Sequence, residues 1–329
     1  MQAGEISLEQ EMVLSSQEEQ KAPSPFIEGT KIQYAWDSTS LGWLKTCPRL
    51  YQYKMIEGWR SKHESVHLRF GIEFHFALQD YDVSQASGIP HDDAVFDVVR
   101  ALLIRTFGWK SDHQKKNRET LVRSVIWYLE EYKDDAAKTF VMDNGKAAVE
   151  VSFRFVLNYG PLTDTLIAMN MPYEAQRYVL CGHLDRIVSF CDNVFVKDNK
   201  TTSAAWFTNF EPHNQMTFYT LAGQIVLHSP VKGVIIDISE VQINYTKFSR
   251  ELTYRTPDQI EEWLNDLEYW LRMSEGYAIK GYWPQNDTAC GMYGGCEFRE
   301  VCSKSPQVRE IFLKSDFTKE KSWNPLQTR

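Results

Sequence analysis

The segment VFVKDNKT (194–201) sets a carboxylate, Asp198, two residues before an ammonium, Lys200. On a strand, alternate side chains share a face. Val194, Val196, Asp198 and Lys200 therefore project together, the valines over a core and the polar pair at the strand's end. The preceding strand-like stretch RYVLCGHLDRIVSF (177–190) carries Asp185. Joined by the short turn CDN, the two stretches read as hairpin neighbours, an arrangement in which Asp185 faces Asp198. Two carboxylates about 4 Å apart repel by about 4 kcal/mol at an effective dielectric of about 20. Such a pair shares a proton or holds a cation, and its oxygen ligands suit Mg2+ or Mn2+. A lysine beside the ion orients or helps deprotonate a water, or neutralises a developing oxyanion. A cation, a water and a fixed lysine are the parts of a phosphodiester hydrolase. Taken alone, D-x-K also describes an Asp–Lys surface pair at a hairpin edge.

The elements that must position these groups follow from hydrophobic period. YAWDSTSLGWLKTCPRLYQYKMI (34–56) begins with capping residues and continues as an amphipathic helix. HLRFGIEFHFALQDYD (67–82) sets Phe70, Phe74, Ala77, Leu78 and Tyr81 at helical spacing. Helices are also expected near 92–107 and 117–138. The period then changes to two, giving strands at 147–157, 177–190 and 193–199. A helix at 213–228 leads to a strand at 231–245, and a last helix spans about 257–275. This order predicts an α/β class, a mixed central sheet flanked by helices, with 213–228 crossing between the hairpin and the strand at 231–245.

GHLD followed by VFVKDNKT resembles the core motif of the PD-(D/E)XK nuclease superfamily, specifically its RecB-like branch. The resemblance rests on Gly182, Asp185, Arg186, Asp198, Lys200 and Thr201. FGIEFHFAL resembles the branch's helix with a metal-binding histidine, which makes His75 the match, with His63 and His67 as competitors should the register differ. VEVSFRF resembles its strand with a glutamate, which assigns Glu150 a supporting role. QMTFY matches Q-x-x-x-Y in Gln215 and Tyr219, and a spacing of four puts both on one helix face. The resemblance implies a restriction-endonuclease-like core and hydrolysis with no covalent enzyme intermediate. Asp185, Asp198, His75 and the main-chain carbonyl of Asn199 would hold Mg2+ or Mn2+, Lys200 would serve the attacking water, and Gln215 and Tyr219 would position the lysine or contact nucleic-acid backbone.

Six cysteines occur. Cys290, Cys296 and Cys302 are each separated by five residues, and Cys47 stands far upstream in LKTCPRLY. One distant cysteine and a C-terminal trio resemble the iron–sulfur subset of the branch, which includes the CRISPR adaptation nuclease and helicase–nuclease exonuclease domains. Many members have two residues between the first and second of the trio; here there are five. Four thiolates fit a [4Fe–4S] cluster, with a structural zinc as the alternative. Cys181 and Cys191 read as ordinary free thiols.

The remaining expectations concern the whole chain. Of its 329 residues 43% are hydrophobic, enough for a real core. Residues 1–25 are expected to be a disordered acidic tail. Residues 26–329 are expected to form one nuclease domain, with a helical insertion at 84–140 and a cysteine-rich cluster segment at 285–305. No run approaches the roughly 18 apolar residues of a membrane helix, and the N-terminal stretch has no export signal, so the cytoplasm, bacterial or phage-infected, is the expected location. The net charge of −8 argues against a passive nucleic-acid coat. A local basic track is still available in KSDHQKKNRETLVR (110–123). The function expected is a metal-dependent DNA exonuclease acting on single strands or ends in replication, recombination or repair, beside a helicase or a recombination or replication partner. The alternatives are a catalytically silent DNA-binding scaffold that keeps the fold, and an RNase, since no residue is an obvious reader of the 2′-hydroxyl.

Overall fold

The computed structural model describes residues 22–62, 65–168, 177–204, 210–320 and 322–327. Residues 1–21 of the expected tail lie outside them, as does His63. In chain order the elements are β1 (Ala35–Trp36), α1 (Ser38–Thr46), α2 (Pro48–Tyr51), β2 (Trp59–Ser61), α3 (Val66–Ala86), α4 (His91–Arg105), α5 (Arg118–Glu131), β3 (Lys138–Thr139), β4 (Val149–Val156), α6 (Thr163–Ala168), β5 (Val179–Phe190), β6 (Asn193–Thr202), α7 (Asn214–Leu227), β7 (Gly233–Val241), β8 (Thr246–Tyr254), α8 (Pro257–Lys280), α9 (Arg299–Ser303), α10 (Arg309–Asp316) and β9 (Phe317–Lys319). The chain divides into two compact units. One comprises residues 1–63, 152–182 and 261–329, the other 64–151 and 183–260.

The second unit carries the sheet order β5-β6-β7-β8, with β3 and β4 pairing with β5. β6 and β7 are parallel, while β5–β6 and β7–β8 are antiparallel. The result is the expected mixed α/β fold with a central mixed sheet. Cys191 and Asp192 close the β5–β6 hairpin at φ 48° and 57°, the left-handed pair that suits a two-residue turn between twisted strands. A parallel partner cannot be reached by a tight turn, so β6 connects to β7 through α7.

Helices cover the two sheet faces by different means. Gly223 of α7 lets the helix lie close on β6, since a Cβ there would sit 3.0 Å from Val196 Cγ2. α7 therefore covers the face that carries Val196, Asp198 and Lys200. On the other face, Tyr128 of α5 reaches Asn199 and Asp237 with its hydroxyl. The expected apolar face of α3 is buried in full: Phe70, Phe74, Ala77, Leu78 and Tyr81 pack with Val98 and Leu102 of α4 and with Leu121 and Val125 of α5. Each Phe, Leu or Val among them contributes about 1.5–3 kcal/mol on burial. Asn117 and Thr120 form a reciprocal capping box that starts α5.

In the first unit the helix expected over 34–56 is broken. Asp37 and Ser40 cap α1 reciprocally, but Cys47 adopts an extended conformation, φ −164° and ψ 116°. The cause is Pro48, whose ring disfavours the helical region for the residue before it. The chain restarts as α2 with proline in its first turn, then passes into a π-helical turn at Gln52–Ile56. Tyr53, Trp59, Phe298, Val301, Leu313 and Phe317 form a core here, with β2 and β9 paired antiparallel at its edge.

A second correction concerns 231–245. The strand ends at Val241, the Gln242 amide bonds the Tyr245 carbonyl at 2.8 Å, and the chain returns as β8. β8 escapes a hydrophobic-period reading because its inward side carries Phe248 beside a charged residue, Arg250.

Candidate active site

β6 sorts its residues by alternation. Phe195, Lys197 and Asn199 turn to the face of α5; Val196, Asp198 and Lys200 turn to the face of α7. Asp198 does not emerge into solvent as the sequence suggests: it is only 2% exposed. Lys200 covers it, with Nζ 2.9 Å from Oδ2 and donating to Oδ1 at 3.1 Å. The same ammonium donates to Gln215 Oε1 at 3.1 Å. Gln215 Nε2 in turn donates to the Tyr219 hydroxyl at 2.9 Å, one turn along α7. Lysine has donors only, so the Gln215 amide must face it with oxygen, and the bond to Tyr219 fixes that orientation. Lys200, Gln215 and Tyr219 thus form one run of side-chain hydrogen bonds.

Asp185 stands in the middle of β5, one residue beyond the last ladder pair with β6, Arg186 with Lys197. Its Oδ2 lies 3.1 Å from Nδ1 of His75 on α3 and 3.5 Å from the Asn199 amide nitrogen. The N–H and C=O of one strand residue point to the same edge. The Asn199 carbonyl therefore opens beside Asp185, where the β5–β6 ladder has ended.

The electrostatics separate the two carboxyls. Burial raises Asp185, but the His75 charge and hydrogen bond, then Lys200, outweigh it and hold the group below the ordinary carboxylate value. Asp198 is held above its ordinary value by burial; Lys200 opposes the rise and the charge of Asp185 adds to it. Burial lowers His75, yet Asp185 and Asp198 reverse that and leave the imidazole above its usual value. Asp198 Oδ2, despite its contact with the ammonium, is buried without a hydrogen bond. That oxygen, the second carboxylate and the Asn199 carbonyl are hard donors of the kind Mg2+ and Mn2+ take, and the His75 imidazole is a softer donor beside them. Among the described residues, however, no three His, Cys, Asp or Glu side chains gather closely enough to enclose a metal. His75 is joined to Asp185, and Asp198 to Lys200.

Glu150 belongs to β4 and has a left-handed backbone, φ 49°. Arg186 of the GHLDR motif turns to the reverse face, where it pairs with Asp82 at 2.8 Å and donates to Thr139 at 2.9 Å. His67 stacks edge-on against His113 at 4.9 Å.

Behind the site lies a set of charged residues that hydrophobic period does not single out: Lys197, Asp237, Arg250 and Asp135, of which Lys197 and Asp237 are 1% exposed. A signal existed in VFVKDNK. Alternation from a buried Phe195 puts Lys197 on a covered face, where an ammonium must have partners.

Cys47, Cys290, Cys296 and Cys302 lie in the other unit, all half-buried and none in a disulfide. Cys47 Sγ accepts the Asn286 amide at 3.3 Å, and Cys290 Sγ lies 3.9 Å from the carbonyl of the same residue. Cys296 and Cys302 pack against the aromatic core around Phe298. Burial raises the Cys302 thiol to about 11, with Cys296 and Cys47 among the groups that add to the rise. Cys181 is buried and Cys191 is exposed at the hairpin turn.

A family model described as the PD-(D/E)XK nuclease superfamily matches residues 38–303. No curated protein matches the chain. Among solved structures, a candidate exonuclease from Eubacterium rectale is similar at 9% identity and a TM-score of 0.44, over 83% of this chain and 89% of that one. The protein SSO0001 is similar at 10% identity and a TM-score of 0.30, over 75% and 84%. At that distance neither likeness bears on the chemistry.

Proposed function

The chain belongs to the PD-(D/E)XK nuclease superfamily, and from that premise we propose that it is a Mg2+- or Mn2+-dependent DNA exonuclease of the RecB-like branch, acting on single strands or DNA ends in replication, recombination or repair. The observation that carries the reading is the chain of contacts Asp198–Lys200–Gln215–Tyr219 beside the His75–Asp185 pair.

Asp185, Asp198, His75 and the Asn199 carbonyl would hold the divalent ion, which supplies Lewis acidity and a more acidic water. Lys200 spends two N–H groups on Asp198 and Gln215; its third is left for the attacking water or a phosphoryl oxygen. Gln215 and Tyr219 keep the ammonium aimed. With a side chain 26% exposed, Lys200 is reachable from solvent. Glu150 has a supporting role in this reading.

Cys47, Cys290, Cys296 and Cys302 are proposed to hold a [4Fe–4S] cluster, with zinc as the other candidate. Support comes from four unbridged, half-buried thiols in one unit and from the N–H donated to Cys47, the kind of bond that tunes cluster sulfur.

Digestion of end-labelled single- and double-stranded DNA with Mg2+ or Mn2+ tests the reading. The expected result is metal-dependent release of nucleotides from ends, with activity reduced at least a hundredfold in Lys200→Ala, the scale of a lost positioned proton-transfer or charge-stabilising group. Equal cutting by the two proteins would remove Lys200 from the mechanism, and no cutting by either would favour the silent scaffold.

A further inference from the structure

Directly behind Asp198 and Lys200, on the reverse of the sheet, lies a closed set of charges. The strand register sets Asn199 beside Asp237 and Asp237 beside Arg250. Arg250 binds Asp237 through Nε at 2.6 Å and Asp135 through Nη1 at 2.7 Å. Lys197 Nζ lies 3.0 Å from Asp237 and 3.2 Å from Asp135. The Tyr132 ring covers both cations, at 5.4 Å and 4.7 Å. Tyr128 joins this set to the site strand: its hydroxyl is 2.6 Å from Asp237 Oδ2 and 3.0 Å from the Asn199 side-chain amide.

A phenol carries one proton. The carboxylate at 2.6 Å takes it, because a charged acceptor makes the stronger bond. The hydroxyl then offers Asn199 only lone pairs, and an amide oxygen facing them would be repelled. Asn199 Oδ1 is the atom placed 3.0 Å from the hydroxyl; oxygen and nitrogen of such an amide are assigned from their partners, and the exchanged assignment presents Nδ2 to Tyr128. The bonds then run in one direction, from Asn199 to Tyr128 to Asp237, whose carboxylate also accepts from Arg250.

Buried ion networks are a weak source of stability, since apolar replacements of similar volume often do as well. What this one supplies is a fixed direction for one residue. Asn199 lies between the two site residues of β6, and its own carbonyl opens on the site. Gripping its side chain from behind limits rotation of the backbone that aims Asp198, Lys200 and that carbonyl. We propose that Tyr128 is a positioning residue: through Asn199 it holds the cation-binding segment of β6 in its binding orientation. The inference rests on the site reading given above.

The test uses the full-length protein. Mn2+ binding is followed by the paramagnetic resonance of the free ion, and hydrogen exchange of the peptide covering 193–202 is followed without metal. Tyr128→Phe is expected to weaken Mn2+ binding by about tenfold, the usual effect of losing a partner that orients a metal ligand, and to speed exchange in that peptide. Tyr132→Phe, which keeps the ring that packs on the same ions, is expected to leave Mn2+ affinity and that exchange unchanged. If Tyr128→Phe does not fold, Asn199→Ala removes the same grip and carries the same expectation. Wild-type affinity and exchange in the variant overturn the positioning role alone, as does equal weakening in Tyr132→Phe. A wild-type protein that binds no Mn2+ overturns the site reading as well.

Discussion

Two lysines show how placement decides what an ammonium does. Lys200 is partly exposed and bonded to Asp198 and Gln215, so its donors are held in fixed directions. Lys116 is 1% exposed, lies 4.0 Å over the Phe70 ring and has no hydrogen-bond partner at Nζ. Burial alone pushes it down from 10.5 to about 7. Between those two values the unfolded chain binds the extra proton, so stability rises with pH across the window, and the full penalty applies below about pH 7. Lys116→Met is expected to raise stability by on the order of 2 kcal/mol at pH 6, with the gain fading towards pH 10. Thermal or urea unfolding at the two pH values measures this; a gain that does not shrink as pH rises would contradict it. His75 is a residue the sequence located by resemblance only, since nothing local distinguishes an imidazole that meets Asp185 from one on a helix surface.

Among the elements, β6 is a strand with two occupations. One face carries the candidate chemistry and packs under α7; the other is locked to β7, β8 and α5 by charges. Its apolar alternation and turn are legible because both are local. β8 was not, since its Arg250 is held against the sheet only by Asp237 and Asp135. The α7 packing leads to a paired prediction. Gly223→Val would force a side chain against Val196 and Val231, where even a Cβ would lie 3.0 Å and 3.3 Å from methyl groups. It is expected to destabilise by about 1–3 kcal/mol and, by displacing Gln215 and Tyr219, to reduce DNA cleavage beyond the loss of folded protein. Gly276 in α8 has open space where a Cβ would stand, with nothing within 4 Å, so Gly276→Ala is expected to stabilise by about 0.5–1 kcal/mol and to leave cleavage unchanged. Melting temperatures and initial rates of both variants check the pair; similar behaviour would refute the close helix–strand contact.

Across the molecule, the balance of charge and the cysteines matter most. A net charge of −8 leaves local cations to meet phosphate, so DNA binding is expected to weaken steeply with salt. No helix among the described residues is long and apolar enough to cross a membrane. In the proposed cluster, Cys47 would be tied to residues 290–302 within one unit, a long loop whose closure is worth roughly 4–5 kcal/mol in the chain-entropy account. Cys302→Ala is expected to give colourless, poorly soluble protein with a lower melting temperature, while Cys191→Ala changes neither; visible absorbance and thermal scans decide, and a soluble, fully active Cys302→Ala protein would contradict the staple. Residue order alone was enough for what short-range pattern can encode: the alternation that sets Asp198 and Lys200 on one face, the four-residue step from Gln215 to Tyr219, the buried side of α3, and the family motif. Folding in three dimensions was needed to establish that Asp198 is covered by Lys200, that Arg186 turns from the site, and that Lys197 lies inside. Those outcomes depend on partners such as Asp82, Asp135 and Arg250, brought from far along the chain, and a buried charge is permitted only where such partners meet it.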